Sequence, residues 1–418
     1  MQIDFGYGKT VQSVRVPDEN LLGVLTPNSF EYGLRGEAEI ERALKEPICS
    51  PRLGELIKPG EKIAIITSDI TRPMPTAQVM PPLLNELFAV GVDPADVTLY
   101  FALGIHRKHT VEEQRKLAGE RAWSEIRCVD GDVSRFKHFG KTKNGTPVDI
   151  VEEAAAADHR ICLGNIEYHY FAGYSGGAKA IMPGLSTHEA IQANHRLMVE
   201  ENACAGELEN NPLRIDIEES GQMVGIDFIV NVVLDEHKQI IRAFAGDSVQ
   251  AHRSGCRFLD DIYVKEIPTR ADIVIVSQGG APKDLNLYQT QKALDNAKHA
   301  VKKGGIVILI GSCREGMGEP VFEEWMLHSQ SPHDMIARIK SDFQLGGHKA
   351  AAIAMVLEDA DIFLVSDMDP LFVSEIFLIP FVSAQAALYE AFDRLGADAS
   401  VIAMPYGGST LPRQRKTV

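Results

Sequence analysis

Short apolar, β-branched runs recur along this chain, and each is separated from the next by a longer stretch of helical periodicity. Lys62–Thr67, Val97–Ala102 and Arg160–Leu163 read as buried strands. Between the first two, Thr76–Val90 has its apolar positions at helical spacing and ends near Gly91. Strand–helix–strand order of this kind favours a parallel sheet with right-handed crossovers. Asp227–Val233 and Gln239–Ala243, joined by Asp235-Glu236-His237-Lys238, read instead as a hairpin or a mixed sheet edge. After Pro268 the rhythm restarts with Ile273–Val276, Ile306–Ile310, Ile362–Val365 and Ser400–Ala403.

A chain of 418 residues is too long for one ordinary core. The expected fold is therefore two α/β domains with largely parallel sheets, residues 1–265 and 266–418, with an active-site cleft between them. Polar residues and glycines concentrate just after predicted strands, at Ser68–Arg72, Gly104–His109, Asn165–Lys179 and Gln278–Lys292. Ligands of open α/β sheets bind at the carboxyl ends of strands, so these four loops mark the expected cleft.

The formal net charge of −16 argues against a nucleic-acid partner, which requires a basic face. It leaves room for a local cationic pocket that takes a small anion. No run of about 18 uninterrupted apolar residues is present, so no membrane span is expected. Cys49, Cys128, Cys162, Cys204, Cys256 and Cys313 are scattered without a C-x-x-C pair, which argues against a disulfide framework or a cysteine-built zinc site. Met1–Phe5 lacks the basic start and apolar run of a signal peptide, and the expected address is cytoplasmic.

Five constellations could carry chemistry. In the segment Thr67–Pro75, Arg72 could clamp a carboxylate or phosphate in a fork geometry, and Asp69 could orient it or hold a ribose hydroxyl. Read alone, the same segment is a solvated turn before a helix. In Gly104–His109, His106 would open into the same cleft, where a neutral imidazole can take a proton from a hydroxyl and return one.

The third constellation is Asn165–Lys179, which contains His169 and Ser175-Gly176-Gly177. Its glycines, Gly173 included, would let backbone N–H groups approach an anion, most plausibly a phosphate. The spacing is neither a Walker A motif nor a G-x-G-x-x-G fingerprint. Lys179 could pair with the phosphate as a point charge, or act as an amine that tethers a cofactor.

In the fourth, Ser186–His195, a capped helix carries His195 at its far end, with His188 roughly on the same face. This is not the H-E-x-x-H pair, because Gln192 stands where the second histidine belongs. One imidazole with non-protein ligands still suits nickel or copper. In the fifth, Gly279–Lys292, Gln289 and Lys292 are helix neighbours that could present an amide and a cation to an anionic substrate. The loop Leu345–Lys349 has a similar composition.

Taken together, the Ser-Asp-x-Thr-Arg-Pro loop, His169 with Gly173, Ser175-Gly176-Gly177 and Lys179, then His195 and the Tyr288-Gln289-x-x-Lys292 helix, resemble the nickel-pincer lactate racemase family over nearly the whole chain. The resemblance implies racemisation or epimerisation of a 2-hydroxy acid. It also implies a nickel-pincer nucleotide, pyridinium-3,5-bisthiocarboxylic acid mononucleotide nickel, made by separate maturation enzymes and lacking from a copy made without them. Lys179 would be joined covalently to one arm, and His195 would be the protein ligand of nickel. His106 and His169 would be paired general acid/bases. Asp69 and Arg72 would contact cofactor and substrate, and Ser175, Gly176 and Gly177 the cofactor. Tyr288, Gln289 and Lys292 would line the substrate side.

The implied reaction moves the 2-hydrogen as hydride to the cofactor, giving a 2-keto acid that rotates and takes the hydride back on its other face. Lactate-specific members carry a tryptophan in the second-domain part of the pocket. Trp123 and Trp325 do not match it, and Gly346-Gly347-His348-Lys349 falls roughly in that region. The resemblance therefore leaves room for a larger or more polar acid, sugar acids included. Two further readings stay open: a zinc hydrolase using His106, His169 and His195, and a non-enzymatic phosphate- or nucleotide-binding protein using Gly176-Gly177.

Overall fold

The computed structural model describes residues 1–28, 30, 33–235 and 237–415. The chain divides into two compact units, Phe30–Asp260 and Met1–Ser29 with Asp261–Val418. The expected split at residue 265 is therefore corrected at the N-terminus. Residues 1–28 pack with the C-terminal sheet because strands Gln2–Tyr7 and Thr10–Arg15 pair antiparallel and turn Ile3, Phe5, Tyr7 and Val14 into its core. Strand Leu21–Val24 then pairs in parallel with Val401–Met404 at the sheet edge. Pairings spanning almost the whole chain leave no local trace in sequence periodicity.

The Phe30–Asp260 unit is built on a six-stranded sheet. Its order is Ile240–Gly246, Phe228–Leu234, His159–Asn165, Ile63–Ser68, Val97–Ala102, Arg127–Asp130. All neighbours are parallel except the first two, which form the expected hairpin. Glu236, in the connection of that hairpin, lies outside the described residues. The central strands are apolar on both faces, with Ile65, Leu99, Phe101, Ile161, Leu163 and Val230 in one core with Leu83 and Leu87 of helix Thr76–Ala89. Runs of this kind are what a parallel sheet covered on both faces requires. The parallel order also places the loops after His159–Asn165, Ile63–Ser68, Val97–Ala102 and Arg127–Asp130 side by side at one end of the sheet.

The other unit has a second six-stranded sheet, all parallel, ordered Ile379–Phe381, Ala360–Val365, Val301–Ile310, Ala271–Ser277, Val401–Met404, Leu21–Val24. Helices Leu287–Ala297 and Gly347–Leu357 follow strands of this sheet. All six cysteines are free. Among the described residues no helix is long and apolar enough to cross a membrane.

Candidate active site

Strand Ile63–Ser68 ends in the loop that carries Asp69, Thr71 and Arg72, and the neighbouring strand Val97–Ala102 ends in the loop that carries His106. The Asp69 carboxylate accepts from Nδ1 of His106 and, at 2.8 Å, from the Thr71 hydroxyl. Burial pushes the Asp69 carboxyl up. The hydrogen bond and charge of His106, the Thr71 hydroxyl and the Arg72 guanidinium outweigh it and hold the group below its ordinary value. With Nδ1 protonated toward Asp69, the Nε2 lone pair of His106 is the ring's acceptor.

After strand His159–Asn165 the chain doubles back in a short antiparallel pair, His169 opposite Gly173. Between them, Phe171 puts its ring among three of the expected site residues. The ring lies 4.4 Å from that of His169 and 5.2 Å from that of His195, both edge-on, and the Lys179 Nζ is 5.9 Å from its centroid. Burial is the largest influence on His169, and the charges of Lys179, Arg72, His195 and Arg214 add to it. Together they hold its imidazole well below the ordinary value and therefore neutral. Nδ1 of His169 accepts the Ala172 N–H at 3.3 Å, so Nε2 carries the proton. Lys179 is likewise held well below the ordinary lysine value, first by burial and then by Arg214 and Arg72. That burial favours the uncharged amine, the form that acts as a nucleophile. Arg72, although exposed, is felt by Asp69, His169 and Lys179 alike, which joins the two loops electrostatically.

The glycine-rich stretch differs from the expected anion cradle. The Gly177 N–H donates to Asn231 at 2.8 Å, the Ser175 N–H to the Glu167 carbonyl at 2.9 Å, and the Lys179 N–H to the Gly176 carbonyl at 3.3 Å. The Ser175 hydroxyl donates to the Asn165 carbonyl and accepts from the Glu167 N–H. The glycines instead permit close packing: a Cβ on Gly173 would meet the Glu207 carbonyl oxygen at 2.0 Å, and one on Gly177 would meet His252 at 3.0 Å. Both have positive φ. From helix Pro212–Val224, the fully buried Arg214 clamps the same stretch through the carbonyls of Ala172, Tyr174 and Gly176.

His195 ends helix His188–His195, which Thr187 caps. Its Nδ1 lies 3.2 Å from the Asn194 Oδ1, the Asn194 Nδ2 donates to Asp216 at 2.8 Å, and Asp216 accepts from Thr142. This buried relay makes Nδ1 the donor, the outer hydrogen bond that metal-bound histidines also make. Among the described residues no group of three or more His, Cys, Asp or Glu side chains could hold a metal ion. A three-histidine zinc site of His106, His169 and His195 is therefore not formed. A metal at His195 would need ligands from elsewhere, which fits a cofactor that brings its own.

Tyr288, Gln289 and Lys292 belong to the other unit, on helix Leu287–Ala297, whose N-cap Asn286 accepts the Gln289 N–H at 3.0 Å. Lys292 is exposed. From helix Gly347–Leu357, the Lys349 Nζ lies 5.3 Å from the Tyr288 ring centre and donates to Gln291 at 2.8 Å, and Gln291 donates to Asp295. Burial, with Lys292 adding to it against the opposing pull of Asp295, lowers the Lys349 ammonium to about 8. Trp325 is fully buried behind Gly347, and Trp123 packs against the core of its own Phe30–Asp260 unit.

Sequence reasoning misses Phe171 and Arg214. Phe171 is one aromatic among several in its loop, and nothing in the spacing marks it. Arg214 sits in an ordinary helix far along the chain and carries no local signal.

Known proteins are similar to this chain along nearly its whole length. Residues 7–206 match the lactate racemase N-terminal domain, and residues 265–411 match the lactate racemase C-terminal domain. The chain is 34% identical over 425 residues to the lactate racemase of Thermoanaerobacterium thermosaccharolyticum, covering 99% of each. It is 32% identical over 418 residues to that of Lactiplantibacillus plantarum, covering 97% of this chain and 98% of the relative. The lactate racemase apoprotein structure from T. thermosaccharolyticum superposes with a TM-score of 0.87 at 32% identity, covering 99% of this chain and 100% of that one. A Thermotoga maritima protein shares the fold at a TM-score of 0.61 and 18% identity, covering 92% of this chain and 100% of the other.

Proposed function

The chain belongs to the lactate racemase family, and from that premise we propose that it racemises or epimerises a 2-hydroxy acid using a lysine-tethered nickel-pincer nucleotide. The observation that carries the reading is the opposed protonation of two histidines in one unit. His106 offers a lone pair at Nε2 because Asp69 holds Nδ1, and His169 offers a hydrogen-bond donor at Nε2 because Nδ1 accepts the Ala172 N–H. A base and a hydrogen-bond donor at the oxygen are what a hydroxyl requires while the hydrogen on its carbon leaves one face and returns on the other.

The residues fit the cofactor. The buried Lys179 amine is proposed as the tether and Nε2 of His195 as the nickel ligand. When bound, the group would accept the 2-hydrogen of the substrate as hydride and return it. His106 would take the hydroxyl proton as this happens and return it when the acid re-forms, and the Nε2–H of His169 would hold the oxygen by a hydrogen bond throughout. Arg72 would hold the substrate carboxylate in a fork geometry while the carbonyl turns. Asp69 would act through His106 and beside the cofactor. Ser175, Gly176 and Gly177 are proposed to shape the loop that presents Lys179 rather than to donate to a phosphate. Tyr288, Gln289 and Lys292 are proposed as further substrate contacts, the maturation enzymes as partners and the cytoplasm as the address.

Co-expression with the cofactor-making enzymes and intact-mass measurement of the product test the reading. A mass adduct on the wild type, absent from Lys179→Ala, is expected. An unmodified wild-type mass under those conditions would overturn it.

A further inference from the structure

Asp69 and His106 come from different loops, and a second aspartate–histidine pair ties the first of those loops down beside them. Asp130, at the carboxyl end of strand Arg127–Asp130, accepts from the His109 backbone N–H at 2.9 Å and from its Nδ1 at 2.6 Å. With Nδ1 protonated, Nε2 carries the lone pair, and it accepts the Ile70 N–H at 3.1 Å. Ile70 directly follows Asp69. The His109 side chain is 1% exposed and its ring meets Phe101 edge-on at 5.5 Å. One imidazole thus joins the carboxyl ends of three adjacent strands.

We infer that His109, held by Asp130, is a positioning residue for the Asp69–His106 pair, fixing the backbone at Ile70 so that the Asp69 carboxylate meets Nδ1 of His106. Only one tautomer of His109 satisfies both of its ring partners, and Asp130 selects it. Without that bond the Ile70 N–H loses its acceptor, and the Asp69 loop is held chiefly by the Arg72 N–H bond to the Asp69 carbonyl. The functional consequence rests on the reading of His106 as an acid–base group, but the geometry does not.

The test compares His109→Leu, which removes both ring bonds, with His109→Gln, whose Oε1 can still accept the Ile70 N–H. The first readout is the downfield Nδ1 proton of His106 in the apo protein, assigned by its loss in His106→Gln. The second is kcat and KM of the holoenzyme, with the melting temperature measured alongside. The signal is expected to persist in His109→Gln and to vanish in His109→Leu. The kcat of His109→Leu should fall about 10²-fold, the scale of an ångström-sized misplacement, while KM changes little. The signal and kcat should both survive in His109→Gln. An unchanged His106 signal in a folded His109→Leu would overturn the inference, as would a His109→Gln variant no better than His109→Leu. If His109→Leu does not fold, Asp130→Asn replaces it, and an intact His106 signal there overturns the inference equally. A lost signal with undiminished turnover would support the positioning role and overturn the assignment of His106 to the reaction.

Discussion

The Lys179 Nζ lies 5.9 Å from the centre of the Phe171 ring, and the same ring meets the imidazoles of His169 and His195. One apolar side chain therefore spaces the proposed tether, the proposed oxygen-holding imidazole and the proposed metal ligand. Phe171→Leu keeps the site apolar and removes the spacer. Its holoenzyme should keep its fold by circular dichroism and lose about 10²-fold in kcat.

Burial holds Lys179 well below its ordinary value in the folded protein, whereas in the unfolded chain it stays charged up to about that value of 10.5. In that window the unfolded state binds the extra proton, so lysine at this position costs stability that is regained as pH rises. Lys179→Met apo protein should melt a few degrees above wild type at pH 7, at about 2–4 °C per kcal/mol relieved. The difference should shrink near pH 10. A calorimetric pH series checks both.

The strands Ile63–Ser68, Val97–Ala102 and His159–Asn165 are legible in the sequence because a covered parallel strand is apolar on both faces. Their shared direction makes the clustering of the loops at their carboxyl ends legible too. The N-terminal hairpin's attachment to the C-terminal sheet is not legible, since the partner of the neighbouring strand Leu21–Val24 lies hundreds of residues away. The glycines of Gly173–Gly177 read as donors to an anion because spacing does not reveal which N–H groups the protein itself consumes. The Asn231 and Glu167 bonds supply that answer. The Asn194–Asp216 relay escapes for the same reason, being assembled from separate helices.

Two histidines outside the reaction should set the acid limit of the fold. His252 is held well below its ordinary value, first by burial and then by Arg214, and burial lowers His299 to about 3. Above pH 6.5 both are neutral in both states and their contribution is fully present. Below it the unfolded chain takes the protons, so stability falls, for His299 down to about pH 3. Urea denaturation at about pH 7.5 and pH 5 should show His299→Gln losing less than wild type, by on the order of 1–2 kcal/mol.

Asn194→Ala removes the acceptor for Nδ1 of His195 and lets that ring change tautomer. Loss of such an outer partner typically costs about 10–100-fold in metal affinity. Nickel retained by the matured variant after dialysis, measured by elemental analysis, should fall accordingly while the Lys179 adduct mass is unchanged.

The most direct test of the account is chiral chromatography of single enantiomers of a panel of 2-hydroxy acids incubated with the matured protein. The account predicts that at least one acid gains its opposite configuration at the 2-carbon without net consumption. It also predicts that His106→Gln and His169→Gln each lower the rate about 10²–10⁴-fold. Every enantiomer remaining unchanged with fully adducted protein, or both variants turning over at the wild-type rate, would contradict it.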